Sequence, residues 1–231
     1  MKKVYPILIF LILLIGMIIF PYLPMELFHF NINNLSPGMK ILYSFVCDLG
    51  YMIIIFLIYK DKIIKEFKEY FNNFKDNFKS SLRCYIVGFM IMVISNSLIN
   101  IFFAGASANN EETVRILIQA YPLYMIFSVA IYAPLVEETI FRRTFKDIFK
   151  PFDNSKYIKY LYVGLSGLIF GAMHILGQSS SSIDYLYVIP YASLGCAFAW
   201  LYYKTDNLFS TIILHSLHNL VAVILFLGLG V

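Results

Sequence analysis

The sequence predicts an all-α, polytopic membrane protein, a helical bundle with about seven transmembrane helices. Three observations predict this class: the composition, the lengths of the apolar stretches and the distribution of basic residues. Apolar residues make up 60% of the chain and charged residues only 14%, and the mean hydropathy is +0.73. Soluble domains are about 45–50% apolar and about 25% charged, so the composition indicates a protein that lies in a membrane.

Seven apolar stretches are long enough to cross a hydrocarbon layer about 30 Å thick, which takes about 20 helical residues. We place them at residues 4–22, 39–59, 82–104, 122–145, 160–176, 186–203 and 208–229. The first resembles a signal peptide, but it ends at two prolines without a small-residue cleavage site, so we expect an uncleaved helix. We expect one integral membrane domain over residues 1–231, with N-terminal helices and an outer loop at 1–121 and a core at 122–229.

Basic residues predict the orientation of these helices. With the N-terminus in the cytoplasm, 16 of the 18 Lys and Arg residues fall in inner segments, and only Lys40 and Arg115 fall in outer ones. Inner loops of membrane proteins carry such an excess of positive charge. The richness in Lys, Asn, Ile and Phe is typical of an AT-rich bacterial genome. We therefore expect a multi-pass protein of a bacterial cell membrane, with the N-terminus cytoplasmic and the C-terminus outside.

Residues 60–83 form the main polar stretch, in which Lys and Glu alternate with aromatic residues at roughly helical spacing. The pattern predicts an amphipathic helix lying on the inner leaflet as a connector. Attraction to anionic lipids accounts for the net charge of +4. We therefore expect membrane lipids as partners and no nucleic acid.

The most informative stretch places two acids and a guanidinium inside the fourth apolar segment. On insertion scales, a charge near the bilayer centre costs roughly 2.5–3.5 kcal/mol, so such residues are either neutralised or functional. Glu138 and Arg142 are four residues apart and are expected to pair on one helix face, whereas Glu137 points about 100° away and remains unpaired. We expect Arg143 to extend its charged end towards the membrane surface.

Further polar residues occur on two later segments. Gly167, Gly171 and His174 share one helix face, so a neighbouring backbone is expected to approach closely beside the imidazole. His215 and Asn219 are one turn apart on the last segment. A linear depth count puts His174 deeper than Glu137 and His215, so the sequence allows one shared cavity without requiring it.

Two other polar groups lie outside this set. Asp48 at mid-depth could line a polar cavity, but a structural hydrogen bond to Asn96 or Asn100 is at least as well supported. Glu111 and Arg115 mimic the acid–guanidinium pattern in an outer loop. Their expected position is in water, and we assign them no chemistry.

The polar motifs resemble the signature of the CAAX prenyl protease and bacteriocin-processing family of intramembrane proteases, also called the Abi family. The resemblance rests on Glu-Glu-x-x-x-Arg (Glu137, Glu138, Arg142), Phe-x-x-x-His (Phe170, His174) and His-x-x-x-Asn (His215, Asn219). It covers residues 122–229, with the three motifs in the family's order on three predicted helices.

The resemblance implies an intramembrane endopeptidase that cleaves a peptide or protein precursor near the membrane, with the reaction in a buried polar cavity. It gives Glu137 as the base that activates water and Glu138 as a further catalytic residue. It places His174, His215 and Asn219 around the reacting carbonyl. Arg142 and Phe170 are then supporting residues.

A metal cofactor remains open at this point. Glu137, His174 and His215 are the ligand types of a catalytic zinc site, but the sequence lacks the local His-Glu-x-x-His pattern. We favour a glutamate-activated water.

A second interpretation assigns no chemistry to these residues. The Glu138–Arg142 pair would be a helix clamp and the histidines packing donors. The protein would then be a non-proteolytic immunity or scaffold protein that regulates a sensor kinase or gives bacteriocin resistance. Removal of the Glu137 carboxylate alone would distinguish the two interpretations.

Overall fold

The structure is a computed structural model that describes residues 4–103, 109–152, 155, 157–176 and 182–229. These ranges are almost entirely helical and contain no strand. Seven of their helices are long and apolar enough to cross a membrane. The structure thereby confirms the all-α, polytopic class.

The long helices follow each other along the chain with one short helix between the third and fourth of them. In order they are α1 (Tyr5–Leu27), α2 (Pro37–Asn72), α3 (Phe74–Phe102), α4 (Asn109–Ala120), α5 (Pro122–Phe152), α6 (Ile158–Ile175), α7 (Asp184–Thr205) and α8 (Phe209–Leu229). Helix α4 is the short one. Ser36 begins α2 by accepting a hydrogen bond from the Met39 N–H through its side chain, which satisfies one of the free donors of the first turn.

The prediction that residues 60–83 form a separate helix on the membrane surface is wrong. Helix α2 continues through this region to Asn72, and α3 begins at Phe74, so the two helices meet at Asn73. With 36 residues, α2 is about 54 Å long, well over the thickness of a bilayer core. Its last turns bury Glu66 and Tyr70 against the bundle. This region therefore extends the packed helices beyond the hydrocarbon layer.

Small residues bring α6 and α7 into close contact, as the sequence predicted. A Cβ atom at Gly171 would lie 2.7 Å from the carbonyl oxygen of Val188, and one at Gly195 would lie 2.9 Å from the Cα atom of Gly167. Real carbon atoms do not approach so closely. Any larger side chain at Gly171 would push the helices apart and displace the residues that α6 carries.

Helix α5 is not a regular α-helix along its whole length. Two π-helical segments, Ser128–Tyr132 and Thr139–Thr144, flank the α-helical turns Ala133–Glu138 that carry both acids. Such wide turns frequently mark functional sites. Pro134 contributes to the first π-helical segment, because proline has no N–H to donate to the regular backbone hydrogen bonds of an α-helix.

Asp48 has a different partner from those we expected. The Tyr124 hydroxyl donates to Asp48 across 3.0 Å, so α2 is joined to the start of α5 and not to Asn96 or Asn100 of α3. The prediction that Asp48 makes a structural hydrogen bond holds, but its partner was wrong.

Candidate active site

One cavity collects the polar residues singled out by the sequence. It has a volume of about 580 Å³ and is lined by residues of α1 and of α3 to α8. Its polar lining includes Glu137, His174, His215, His218 and Asn219, together with the ring of Phe170. The size is typical of ligand sites, which are mostly apolar with a few convergent polar groups. The linear depth count for His174 was therefore no obstacle to a shared cavity.

Glu138 and Arg142 lie behind the cavity wall and form the expected pair. Both side chains are fully buried, with Nε of Arg142 2.8 Å from Oε2 and Nη2 3.1 Å from Oε1 of Glu138. The guanidinium also donates to Ser166 at 3.1 Å and lies 4.7 Å from the centre of the Phe170 ring. A buried ion pair is tolerated only with such complete hydrogen bonding. The pair therefore forms a rigid polar support for the residues in front of it.

His215 connects this support to the cavity. Its Nδ1 lies 3.0 Å from Oε1 of Glu138, and the ring stacks on Phe198 with centroids 5.2 Å apart. An ionised carboxylate only accepts hydrogen bonds, so Nδ1 must carry a proton. In the neutral imidazole, the free lone pair is then on Nε2, which lies 3.9 Å from Oε2 of Glu137.

Glu137 presents a buried hydrogen-bond acceptor to the cavity. Its Oε2 is buried and has no hydrogen-bond partner among the residues that the structure describes. The 3.9 Å gap to Nε2 of His215 is too long for a direct hydrogen bond. This separation is compatible with a water oxygen roughly 2.8 Å from both atoms, because the gap is shorter than twice that distance. The two acceptors would hold the two protons of that water.

His174 has a fixed tautomer as well. Its Nδ1 lies 2.9 Å from the carbonyl oxygen of Phe170, which can only accept, so Nδ1 donates and the neutral ring has its lone pair on Nε2. The ring lies between Tyr191 and Phe170, with centroid distances of 4.6 Å and 4.5 Å. These contacts hold the imidazole at the cavity wall as a hydrogen-bond acceptor.

Asn219 is held by the first π-helical segment. Its Nδ2 donates to the carbonyl oxygen of Val129 across 2.7 Å. That carbonyl is available because the N–H of Ala133 bonds to Ser128 instead, and Pro134 has no N–H to offer. The wide turn thus fixes the Asn219 amide, which keeps a second N–H for a ligand in the cavity.

Sequence reasoning missed a second buried ion pair, between Glu66 of α2 and Arg143 of α5. Arg143 is 2% exposed and pairs with Glu66, so the expectation that it extends towards the membrane surface is wrong. The Glu66 carboxylate also accepts from the N–H of Leu208 at 2.8 Å, just before α8 begins. Glu66 thereby connects α2 both to α5, which carries Glu137, and to the start of α8, which carries His215. The sequence did contain a signal for the burial of Glu66, because Glu66 lies about two helical turns after Tyr59 and so falls on the same face of the helix.

The outer Glu111–Arg115 pair also differs from expectation. The two side chains pair across 2.9 Å and are about half exposed, as a surface pair would be. Both nevertheless line the same cavity as Glu137. Helix α4 is therefore a wall of the site and not a separate loop.

The residues that the structure describes do not form a preformed metal site. No group of three or more His, Cys, Asp or Glu side chains in those ranges is placed to hold a metal ion. Glu137, His174 and His215 share the cavity, but they are not gathered as a ligand set. We therefore derive no chemical step through a metal.

Comparison with known proteins agrees with the motifs. A family model described as type II CAAX prenyl endopeptidase Rce1-like matches residues 119–221. A protein of Bacillus subtilis (strain 168), provisionally named as the membrane peptidase YdiL, is 30% identical over 192 residues, which cover 80% of this chain and 71% of that protein.

The membrane-embedded CAAX protease MroQ of Staphylococcus aureus (strain USA300) is 30% identical over 130 residues, which cover 55% of this chain and 49% of that protein. No solved structure matches the chain. The matched region holds all three motifs, on helices that the structure packs around one cavity. This chain belongs to the Rce1-like family of type II CAAX prenyl endopeptidases, whose named relatives here are membrane peptidases.

Proposed function

We propose that this protein is an intramembrane endopeptidase in which Glu137 activates the attacking water. The observation that carries the proposal is the buried, unpartnered Oε2 of Glu137, which faces Nε2 of His215 across 3.9 Å in the cavity. A carboxylate oxygen with no donor among the described residues, beside a second acceptor, is suited to hold water and to remove its proton.

The attack begins with a water whose two protons point to Glu137 and His215. Its oxygen lone pair is then free to face a peptide carbonyl in the cavity. Glu137 takes one proton while the water oxygen bonds to the carbonyl carbon. When the C–N bond breaks, the same carboxyl returns that proton to the leaving amine, so one residue acts first as base and then as acid.

Other groups hold the reactants in position. Glu138 and Arg142 fix the tautomer and the ring orientation of His215, as a carboxylate does behind a catalytic histidine. The second N–H of Asn219 stabilises the negative charge that develops on the carbonyl oxygen. His174 accepts a hydrogen bond from a substrate backbone N–H. The roles of Glu137 and Asn219 are those that the family resemblance implied, whereas Glu138 becomes a positioning residue and His215 an acceptor for the attacking water.

We propose a peptide or protein precursor at the membrane as the substrate. The apolar lining between the polar groups suits an apolar peptide segment that enters from the lipid, and the relatives are named as peptidases of membranes. We also propose that the protein lies in a bacterial cell membrane with its N-terminus in the cytoplasm, because the distribution of basic residues favours this orientation.

The test compares membrane and secreted peptides by mass spectrometry from cells that express wild-type protein, Glu137→Gln or His174→Ala at equal levels. Leu217→Ala is the matched control, because Leu217 is exposed on α8. We expect a new peptide terminus with the wild type and the control only. Identical peptide profiles in all four strains, together with an unchanged effect of the protein on its cell in both site variants, would favour the scaffold interpretation.

A further inference from the structure

His218 lines the same cavity but lies outside the family motifs described above. It is adjacent to Asn219 and three residues after His215 on α8. Its Nδ1 lies 2.8 Å from the hydroxyl of Tyr85 on α3. With Nδ1 occupied by Tyr85, the ring nitrogen left for a ligand is Nε2. His218 therefore lines the site, but it has no role in the mechanism proposed above.

The Tyr85 hydroxyl decides which nitrogen of His218 carries the proton. The imidazole is the only hydrogen-bond partner of this hydroxyl in the part of the chain that the structure describes. If His218 donated from Nδ1, the Tyr85 hydroxyl proton would have no acceptor among the described residues, which is unfavourable for a partly buried donor. The Tyr85 O–H therefore donates to Nδ1, and neutral His218 carries its proton on Nε2.

This tautomer distinguishes His218 from the two motif histidines. His174 and His215 each donate from Nδ1 to an oxygen that only accepts, so in the neutral state both present a lone pair at Nε2. Neither can then donate to a substrate oxygen. His218 is the one cavity-lining imidazole, among the described residues, whose neutral form presents an N–H.

We propose that His218 is a further catalytic residue, which donates its Nε2–H to the substrate carbonyl oxygen beside the amide of Asn219. This inference rests on the proposed function. Two neighbouring donors would then stabilise the developing oxyanion, while Glu137 and His215 act as acceptors for the attacking water. Tyr85 is a positioning residue, because it acts only through the tautomer of His218.

The donor has a measurable effect on rate. Removal of one donor from an oxyanion site commonly lowers kcat by about 10²- to 10³-fold. We expect this loss, with little change in KM, for His218→Phe. His218→Gln should recover part of the rate, because the Gln side-chain amide can place an N–H near the former Nε2. For Tyr85→Phe we expect a smaller loss of roughly 10-fold, because the tautomer is no longer fixed.

The experiment has two parts, so that its failure can be separated from failure of the proposed function. First, ¹⁵N NMR of the purified full chain with labelled histidine gives each tautomer without any substrate. We expect Nε2–H for His218, Nδ1–H for His174 and His215, and a change in the His218 signal in Tyr85→Phe. Nδ1–H at His218 would overturn the inference whether or not the protein cleaves peptides.

The second part measures kcat and KM on a synthetic donor–quencher peptide spanning the cleavage site found by mass spectrometry. Leu217→Ala is again the control variant. A His218→Phe rate within threefold of wild type would overturn the inference and leave the proposed function intact. A wild type that cleaves no peptide would overturn both. The expected loss in His218→Phe, with partial recovery in His218→Gln, would support the donor role.

Discussion

Removal of the Arg142 guanidinium tests how the buried ion pair supports the site. In Arg142→Met, the Glu138 carboxylate, 0% exposed, loses hydrogen bonds of 2.8 Å and 3.1 Å. Breaking a buried pair from one side typically costs about 3–5 kcal/mol, because the remaining carboxylate loses its counterion and here keeps only the hydrogen bond from His215. We expect a loss of this size in the free energy of unfolding.

The double variant Glu138→Leu with Arg142→Met separates stability from activity. Replacement of a buried pair by apolar side chains is often neutral or stabilising, so we expect most of the stability to return. The activity should not return, because Nδ1 of His215 loses its acceptor. Hydrogen bonds to charged groups contribute about 1.5–3 kcal/mol, which corresponds to a loss of about 10- to 150-fold in kcat.

The assay is unfolding by sodium dodecyl sulfate in mixed micelles, followed by fluorescence of Trp200, the chain's only tryptophan. Peptide cleavage is measured on the same samples. A loss below about 1 kcal/mol in Arg142→Met would show that the pair is not the buried support inferred from the geometry. Full activity in the double variant would show that His215 does not depend on Glu138.

Three further predictions concern packing, the second ion pair and metal. Gly171→Ala should greatly reduce the yield of folded protein in size-exclusion chromatography, because the added Cβ would lie 2.7 Å from the carbonyl oxygen of Val188. The control Gly164→Ala should match wild type, because a Cβ there would have no atom within 4 Å. Glu66→Gln should lower the free energy of unfolding by about 3–5 kcal/mol, measured in the same micelles, because the buried Arg143 charge loses its counterion. A metal chelator should leave the cleavage rate unchanged, since the described residues provide no three-ligand cluster, and a loss that Zn²⁺ restores would contradict this.

The features predicted correctly from the sequence depend on spacing within one helix. The number of long helices follows from apolar length, and the Glu138–Arg142 pair follows from a separation of four residues. The close approach of α6 and α7 follows from glycines that recur on one face. Each of these properties is set by the 3.6-residue period of the helix and needs no knowledge of the neighbouring helices.

The features that were missed lie between helices. The contact of His215 with Glu138, and that of Arg143 with Glu66, depend on the rotation and tilt of separate helices, which packing sets and sequence spacing does not. The linear depth count could not decide whether His174 shares the cavity, for the same reason. The π-helical turns beside Glu137 were also missed, because a pattern with the 3.6-residue helical period does not indicate where a wider turn occurs. Residues 60–83 were assigned to the membrane surface because their charges outweighed the apolar face.

The measurement that tests the central claim most directly is cleavage of the same synthetic peptide by purified protein in H₂¹⁸O, with wild type compared to Glu137→Gln. The claim is that Glu137 activates the attacking water. We expect one ¹⁸O atom in the new carboxyl group with the wild type, and a loss in kcat of about 10²- to 10⁴-fold with little change in KM in the variant. A folded Glu137→Gln protein that cleaves within tenfold of the wild-type rate would contradict the claim.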